Sequence, residues 1–401
     1  MTVTEDAVTG QDADERRVIE ACERLLADFP PSSTEERAFL EAQFDAGLAW
    51  VHFPEGHGGL GVSPKLQRLV IERISAAGGP IGGTKNPIGY GMCAPAVLTH
   101  GTDEQKELLR PLFSNEHIWC QMFSEPGAGS DVASLAMRAE RDGDEWILNG
   151  QKVWTTLAHI SSYGLVIART DPDLPKHRGI TAFIVDMHAP GVEVRPLRQM
   201  TGEAEFNEVY LTDVRIPDSM RLDDVGRGWP VSITTLMNER VSIGGGTPPR
   251  GAGPIGQLIE TWKASDHKTP VMRDQVTQLW LQAEVNRLTN IRASQLRTAG
   301  TPGPEGSVAK LAMAELNKAI YSLALDIMGP EGMLYDSYEF SRPRHALFSD
   351  DMFKNFLRAR ANSIEGGTSE VLKNIIGERV LGLPGDVRVD KEAAWKDVPR
   401  S

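Results

Sequence analysis

The hydrophobic period changes twice along this 401-residue chain, and that change constrains the fold more than any other feature of the sequence. Up to residue 118, apolar side chains recur at helical spacing, as in "DERRVIEACERLLADF", and Gly/Pro loops separate the helical runs. From 119 to 222, short strand-like runs follow one another, separated by Asp-Gly, Asn-Gly and Pro turns. From 223 onward, long helical patterns return and stop at Gly300 and at Gly329-Pro330.

This order of helix, strand and helix predicts an α+β fold in which the strands are grouped in the middle. We expect an N-terminal helical domain at 1–118, a small antiparallel barrel or sandwich at 119–222 and an antiparallel helical bundle at 223–385. Residues 386–401 are polar and are predicted to form a flexible tail.

Composition narrows the class of protein. With 40% hydrophobic and 24% charged residues the chain is typical of a globular protein, and its net charge of -13 argues against nucleic acid or an anionic membrane as the main partner. Cys22, Cys93 and Cys120 form no CxxC pair and the histidines are scattered, so neither a metal site nor a disulfide framework is predicted. The acidic N-terminus is unlike a signal peptide, and no apolar run is long enough to span a bilayer. We therefore expect a cytoplasmic protein.

Two motifs indicate a ligand with a flat ring and a phosphate. The loop "QMFSEPGAGSDVASL", residues 121–135, offers Ser124, Ser130 and glycine amides such as that of Gly129, although it lacks the third glycine of a dinucleotide fingerprint. In "LNGQKVWTT", Trp154 and Thr156 lie two apart on a predicted strand and so face the same side. An indole beside a hydroxyl suits a flat heteroaromatic cofactor, but the pair also fits an ordinary barrel face.

A third motif, "SIEGGTSEV" at 363–371, combines a turn with the start of a helix. Gly366-Gly367 permits positive φ, Thr368 or Ser369 can cap the helix, and Glu370 falls in its first turn. From this stretch alone, Glu365 is either a catalytic base or part of the turn.

Taken in order, "SEPGAGSD", "LNGQKVWTT", "GEAEFNEVYLTDVRIP", "NERVSIGGG" and "EGGTSEVLKNIIGERVLGLP" resemble the acyl-CoA dehydrogenase family over almost the whole chain. The resemblance implies an N-terminal helical domain, a middle antiparallel β-barrel and a C-terminal four-helix bundle, with FAD held between barrel and bundle. It also implies desaturation of an acyl-CoA substrate between C2 and C3, as in β-oxidation. The proton would leave C2 for a carboxylate, the hydride would leave C3 for flavin N5, and electrons would pass to an electron-transferring flavoprotein.

The resemblance also assigns roles to individual residues. Ser124 matches the hydroxyl that bonds the flavin ring, Trp154 the indole packed on it, and Thr156 the hydroxyl that bonds N5. Ser130 lies where flavin phosphates and the pantetheine arm of the substrate meet. The remaining positions that the family places along the cofactor are Gln121, Met122, Phe123, Gly129, Thr368 and Glu370.

The family also locates the catalytic base. Many members carry it directly before the Gly-Thr of the C-terminal motif, which here is Gly366; Glu365 lies one residue too early. The isovaleryl-CoA and long-chain types carry it on the first bundle helix directly before an arginine, where this chain has Glu239 and Arg240. We therefore predict Glu239 as the base, Arg240 as a substrate contact and Glu365 as part of the turn. The backbone N–H of Gly366 is predicted to bond the thioester oxygen.

Two departures concern the half of each FAD site that the family builds from a neighbouring subunit. The Arg-x-x-Phe-Gly motif after the first bundle helix is absent, and "IMGPEGML" replaces a glycine-rich turn. Either a related chain supplies these parts in a hetero-oligomer, or a homo-oligomer holds the adenosine end of FAD differently, with Arg250 or Arg273 as substitutes. A non-catalytic subunit and an acyl-CoA oxidase are the alternative functions.

Overall fold

The computed structural model describes residues 5–244, 248–296, 305–335, 337–344, 351–385, 387 and 390–399. Within these ranges, the side chains of 5–11, 240–244, 296 and 305 lie outside the description.

The N-terminal domain is helical. Its helices are α1 Glu5–Asp28, α2 Glu36–Asp45, α3 Gln67–Ala76, α4 Ala94–His100, α5 Asp103–Lys106 and α6 Leu109–Phe113. Val18, Cys22 and Leu25 are buried along α1, as the helical spacing predicts, and they pack against α3. A single π-helical turn, Gly89–Cys93, leads into α4 and contacts the first helix of the C-terminal bundle.

The middle of the chain forms one sheet of eight strands, here called the barrel. The strands are β1 Trp119–Met122, β2 Arg138–Asp142, β3 Glu145–Thr156, β4 Tyr163–Arg169, β5 Ile180–Asp186, β6 Val192–Pro196, β7 Phe206–Pro217 and β8 Arg221–Leu222. They follow the order β6-β7-β3-β2-β4-β5-β8, and β1 adds to β4. Most neighbours are antiparallel as predicted, but β1 pairs with β4 in parallel and β2 meets β4 in parallel at one residue pair.

The C-terminal domain is a bundle whose four long helices are α7 Gly228–Gly244, α8 Pro254–Ala264, α9 Pro270–Leu296 and α10 Glu305–Met328. Helix α10 contacts the other three and forms the centre of the bundle. The short helices α11 Met352–Arg358 and α12 Ser369–Ile375 pack on α10 and carry the C-terminal motif between them. The α+β fold with helical, strand and bundle parts is therefore confirmed.

The C-terminal tail corrects the expectation of a flexible segment. Trp395 is only 8% exposed, its indole N–H donates to Ser134 O at 3.3 Å, and the guanidinium of Arg169 lies 4.7 Å from its ring centroid. Lys176 also joins Asp390 of the tail at 2.8 Å. An aromatic anchor inside a polar sequence thus attaches 390–399 to the barrel, and overall polarity hid that anchor.

Among the described helices, none combines the length and apolar character that crossing a membrane requires.

Candidate active site

The candidate site lies where β1 of the barrel faces α7 of the bundle. The Gln121 side-chain amide donates to Glu239 Oε2 at 3.4 Å, although 118 residues separate the two in sequence. Both side chains are half-buried. Helix α7 approaches the barrel this closely because Gly228 starts it: a Cβ there would lie 2.7 Å from the backbone of Thr181 on β5. The carboxylate predicted as the base therefore lies beside the strand predicted to run along the cofactor.

An interaction network at the far side of β1 shapes the loop that carries Ser124. Glu125 is buried and accepts hydrogen bonds from the backbone N–H groups of Ala136 at 2.7 Å and Met137 at 3.0 Å. Lys152, which is 0% exposed, donates to Glu125 Oε1 at 2.8 Å and to the carbonyl of Phe123 at 3.1 Å. Burial lowers the pKa of Lys152 from its ordinary value, and the charge of Glu125 offsets part of that shift. Glu125 thus joins the two ends of the loop, and Lys152 attaches the loop to β3.

Trp154 forms an exposed wall beside that loop. Its backbone has a φ of 60°, and the register of β3 against β7 shifts between Lys152 and Thr155. The indole is 59% exposed and touches only the ring edge of Phe206, with centroids 5.9 Å apart, among the aromatic contacts of the described residues. Thr156 is half-buried, while Thr155 is fully buried. The register shift interrupts the regular alternation on which the predicted shared face of Trp154 and Thr156 depends, so that face stays a prediction.

The turn after α11 engages Glu365 in internal contacts. Arg358 donates from Nη1 and Nη2 to the two Glu365 carboxylate oxygens at 3.1 and 2.8 Å, and Asn362 donates to Oε1 at 2.7 Å. Gly366 and Gly367 then take φ values of 62° and 91°, which favour glycine. Glu365 lies in the turn, as predicted, with its carboxylate already paired.

Beyond the turn, α12 begins with a side-chain cap. Thr368 accepts a hydrogen bond from Val371 N at 3.2 Å, so the first of the two predicted caps is the one used. Ser369 instead donates to Glu315 Oε1 at 3.0 Å. Glu370 is exposed in the first turn of α12.

These contacts join the predicted residues of β1 and its loop to Glu239 on α7 and to the strand that carries Trp154. Ser124 O accepts from Val153 N at 2.9 Å, which fixes the loop beside the Trp154 wall, and Met122 and Phe123 lie buried in and after β1. Gly129 and Ser130 are exposed farther along the loop. The Arg240 side chain lies outside the described residues. Glu125 and Lys152 were not singled out from sequence, although both stand inside the quoted motifs.

The site fits a flat, partly polar group. It presents one open indole face, and Gln121 Oε1 is buried with no hydrogen-bond partner in the part of the chain that the structure describes. A buried acceptor without a partner is costly, so a donor from a bound group would stabilise it. A heteroaromatic ring can stack on an exposed indole such as that of Trp154 and can donate a hydrogen bond to an acceptor such as Gln121 Oε1.

The region expected to contribute to a neighbour's site engages its arginine internally. Arg250 lies with its guanidinium carbon 4.9 Å from the Trp280 ring centroid and its Nε 3.8 Å from a Glu284 carboxylate oxygen. Arg273 is exposed on α9.

The sequence matches three domain families in chain order. Residues 16–116, 120–214 and 226–381 match the acyl-CoA dehydrogenase N-terminal, middle and C-terminal domains. Acyl-CoA dehydrogenase IpdE1 of Mycobacterium tuberculosis is 36% identical over 359 residues, covering 88% of this chain and 89% of that protein. Acyl-CoA dehydrogenase FadE34 of the same organism is 39% identical over 343 residues; the match covers 85% of this chain but 45% of FadE34, so the chain spans about half of that relative.

A solved structure, the ChsE4-ChsE5 complex from Mycobacterium tuberculosis, is also similar. It superposes with a TM-score of 0.69 at 27% identity, covering 96% of this chain and 100% of the matched chain.

Proposed function

Because the chain belongs to the acyl-CoA dehydrogenase family, we propose that it desaturates an acyl-CoA thioester and that Glu239 removes the C2 proton. The observation that carries this assignment is the contact between Glu239 and Gln121 at the meeting of bundle and barrel. The other candidate, Glu365, has both carboxylate oxygens bound to Arg358. The Glu365 carboxylate is thus engaged inside the turn, between Arg358 and Asn362.

Members of this family are FAD-dependent flavoproteins, and bound FAD supplies the acceptor for the hydride that leaves C3. In our proposal Glu239 takes the proton from C2, and the electrons of the C2–H bond form the double bond as the hydride departs. Gln121 orients the carboxylate. The Gly366 N–H donates to the thioester oxygen and so stabilises the charge that develops there.

The residues that would hold FAD are those of the barrel wall and loop. Trp154 offers a stacking face, Thr156 and Ser124 offer hydroxyls, and the backbone of Gln121 to Phe123 offers polar groups along the ring. Thr368 accepts a backbone N–H and can still donate its hydroxyl hydrogen toward a phosphate. We propose Ser130 and Arg240 as contacts of the acyl-CoA, and Gly129 and Glu370 as positions near the cofactor.

The decisive experiment compares Glu239→Gln with the wild-type protein. The amide keeps the shape of the side chain but removes its basicity, so kcat should fall by roughly 10²- to 10⁴-fold while FAD content and acyl-CoA affinity stay within a few fold. Turnover with an artificial electron acceptor over a panel of acyl-CoA thioesters gives kcat, and flavin absorbance gives FAD content.

Glu260 on α8 provides a matched control, because it is an exposed glutamate paired only with Lys263 at 2.8 Å among the described residues. Glu260→Gln should turn over like the wild type. Normal turnover of Glu239→Gln, with the loss falling on Glu365→Gln instead, would show that the base is assigned to the wrong position.

We further propose that the working form is a hetero-oligomer with a second acyl-CoA dehydrogenase-like chain. This hetero-oligomer would pass its electrons to an electron-transferring flavoprotein. The absent Arg-x-x-Phe-Gly motif supports this, because a guanidinium pairs well with the FAD pyrophosphate. Arg250 is paired with Glu284 and Trp280 of its own chain. The similar ChsE4-ChsE5 structure is a complex of two named components.

Flavin stoichiometry in the chain expressed alone tests the partner. We expect less than one tightly bound FAD per chain, rising on co-expression with the partner. A homogeneous homo-oligomer with one FAD per chain and normal turnover would exclude the need for a second chain.

A further inference from the structure

We propose that Arg358 is a positioning residue that couples the Gly366-Gly367 turn of the bundle to the Trp154 wall of the barrel. The proposal rests on the function proposed above and names the side chain that sets the spacing of two parts of that site. Arg358 is the last residue of α11, so it stands at the boundary between a rigid helix and the motif that follows.

On the bundle side, Arg358 fixes the residue directly before the glycine pair. Its two terminal nitrogens bond both oxygens of Glu365 in a fork, at 3.1 and 2.8 Å. Such a bidentate pair fixes direction as well as distance. Gly366 and Gly367 have no side chains that could hold their left-handed conformation, so the turn depends on contacts from its neighbours.

Lys310 holds the other end of the same turn. This fully buried lysine of α10 donates to the carbonyl of Gly367 at 2.7 Å. The turn is thus bound at both ends, by Arg358 through Glu365 and by Lys310 directly. Lys310 contacts the turn from α10 of the bundle. Arg358 contacts the turn and also a residue of the barrel, Glu205.

On the barrel side, the remaining guanidinium nitrogen bonds a buried carboxylate. Arg358 Nε donates to Glu205 Oε1 at 3.0 Å, and the Glu205 side chain is 7% exposed. The guanidinium carbon also lies 5.4 Å from the centroid of Phe206. Phe206 is paired with Thr156 across β3 and β7, and its ring meets the indole of Trp154 edge to face. A shift of Arg358 would therefore be transmitted to the wall.

The charges explain why an arginine is needed here. Burial lowers the pKa of Arg358, but the charges of Glu365 and Glu205 outweigh it and leave the pKa above the ordinary value. Burial raises the pKa of Glu205, and Arg358 offsets only part of that rise. One planar, always-charged group with several donors can bond carboxylates on two domains at once, whereas a lysine ammonium would favour one of them.

The test uses Arg358→Met and Arg358→Lys, with Arg215→Met as the matched control. Arg215 also joins two carboxylates, those of Asp142 at 2.9 Å and Glu145 at 2.8 Å, but it is exposed on the barrel surface. Hydrogen–deuterium exchange of each full-length protein without added FAD, read in peptides covering 153–157 and 363–371, reports the two ends of the coupling.

In Arg358→Met we expect exchange to accelerate roughly tenfold or more in both peptides, because a half-buried charged hydrogen-bond network is lost. Arg358→Lys should protect one peptide and not the other, and Arg215→Met should change neither. Acceleration confined to 363–371 would overturn the coupling and leave a local clamp. If Arg358→Met exchanges fast throughout the chain, Glu365→Gln replaces it, and the same two-peptide criterion decides.

A second measurement is the fluorescence lifetime of the flavin bound to the same variants. Stacking on an indole quenches flavin fluorescence, so Arg358→Met should lengthen its lifetime, and it should have no further effect in a Trp154→Ala background. Equal lifetime changes in both backgrounds would refute the link to the wall. Wild-type protein that binds no FAD even when co-expressed with the partner chain would refute the proposed function, while the exchange experiment would still decide the coupling.

Discussion

Replacing Lys152 by methionine should weaken the barrel more than any surface change, because it removes one member of a buried ion pair. Lys152 is 0% exposed and Glu125 8% exposed, and their charged atoms are 2.8 Å apart. Methionine keeps most of the volume of the lysine stem, so little of the loss arises from a cavity. The perturbation therefore isolates the ammonium group.

The magnitude follows from what remains after the change. Glu125 keeps its two backbone donors, at 2.7 and 3.0 Å, but loses the positively charged partner that bonds it at 2.8 Å. The carbonyl of Phe123 also loses its 3.1 Å donor. Breaking a buried pair on one side costs about 3–5 kcal/mol. Removing both charges in Lys152→Met/Glu125→Gln should cost at least ~1 kcal/mol less, since no buried charge is left unpaired.

Native-state hydrogen exchange of amides in β1 and β3 measures this locally, which avoids a two-state assumption for a multidomain chain. A change of less than ~1 kcal/mol in the opening free energy of Lys152→Met would show that the buried pair does not stabilise these strands. A double variant less stable than Lys152→Met would contradict the cost assigned to the unpaired Glu125 charge.

Two further predictions concern the barrel surface. The hydrogen bond to Arg221 is the main cause that lowers the pKa of Asp218 from 3.8 to about 2. Because the pKa is lower in the folded protein, Asp218 stabilises the fold above about pH 4, and this stabilisation is lost as the pH falls toward 2. Asp218→Asn should therefore flatten that part of a curve of thermal midpoint against pH. If the thermal midpoint of Asp218→Asn still fell between pH 4 and pH 2 as in the wild type, Asp218 would not be the group responsible. Trp395→Ala should release 390–399 from Arg169, with a local loss of about 3 kcal/mol that limited proteolysis detects as cleavage in the tail while the barrel stays resistant.

Sequence patterns predicted the fold because the period of apolar residues reports which face of each element is buried. The helical, strand and helical order, and membership of the acyl-CoA dehydrogenase family, are confirmed. Trp395 shows the limit of that signal: one buried indole in a polar stretch attaches the tail, and a single residue creates no period.

The site was predictable residue by residue only where a motif is contiguous. Glu125 and Lys152 are 27 residues apart, and their pairing depends on how the loop after β1 folds back over β3. Likewise, no local pattern reveals that Gln121 bonds Glu239, because β1 and α7 are brought together by tertiary packing. Long-range polar contacts of this kind follow from the fold and do not precede it.

The backbone of the C-terminal turn bears on where the base can lie. Gly366 has a φ of 62°, a conformation that costs a residue with a side chain roughly 1–2 kcal/mol. A glutamate in place of Gly366 would carry that strain, and it would stand next to Glu365, which already binds the guanidinium of Arg358. A base on α7 avoids that strain, because a helix residue has no positive φ, and its carboxylate accepts a hydrogen bond from Gln121 across the meeting of bundle and barrel. The glycine turn is then left to present its backbone N–H, and the division of labour between Glu239 and Gly366 that we propose follows from the conformation of one residue.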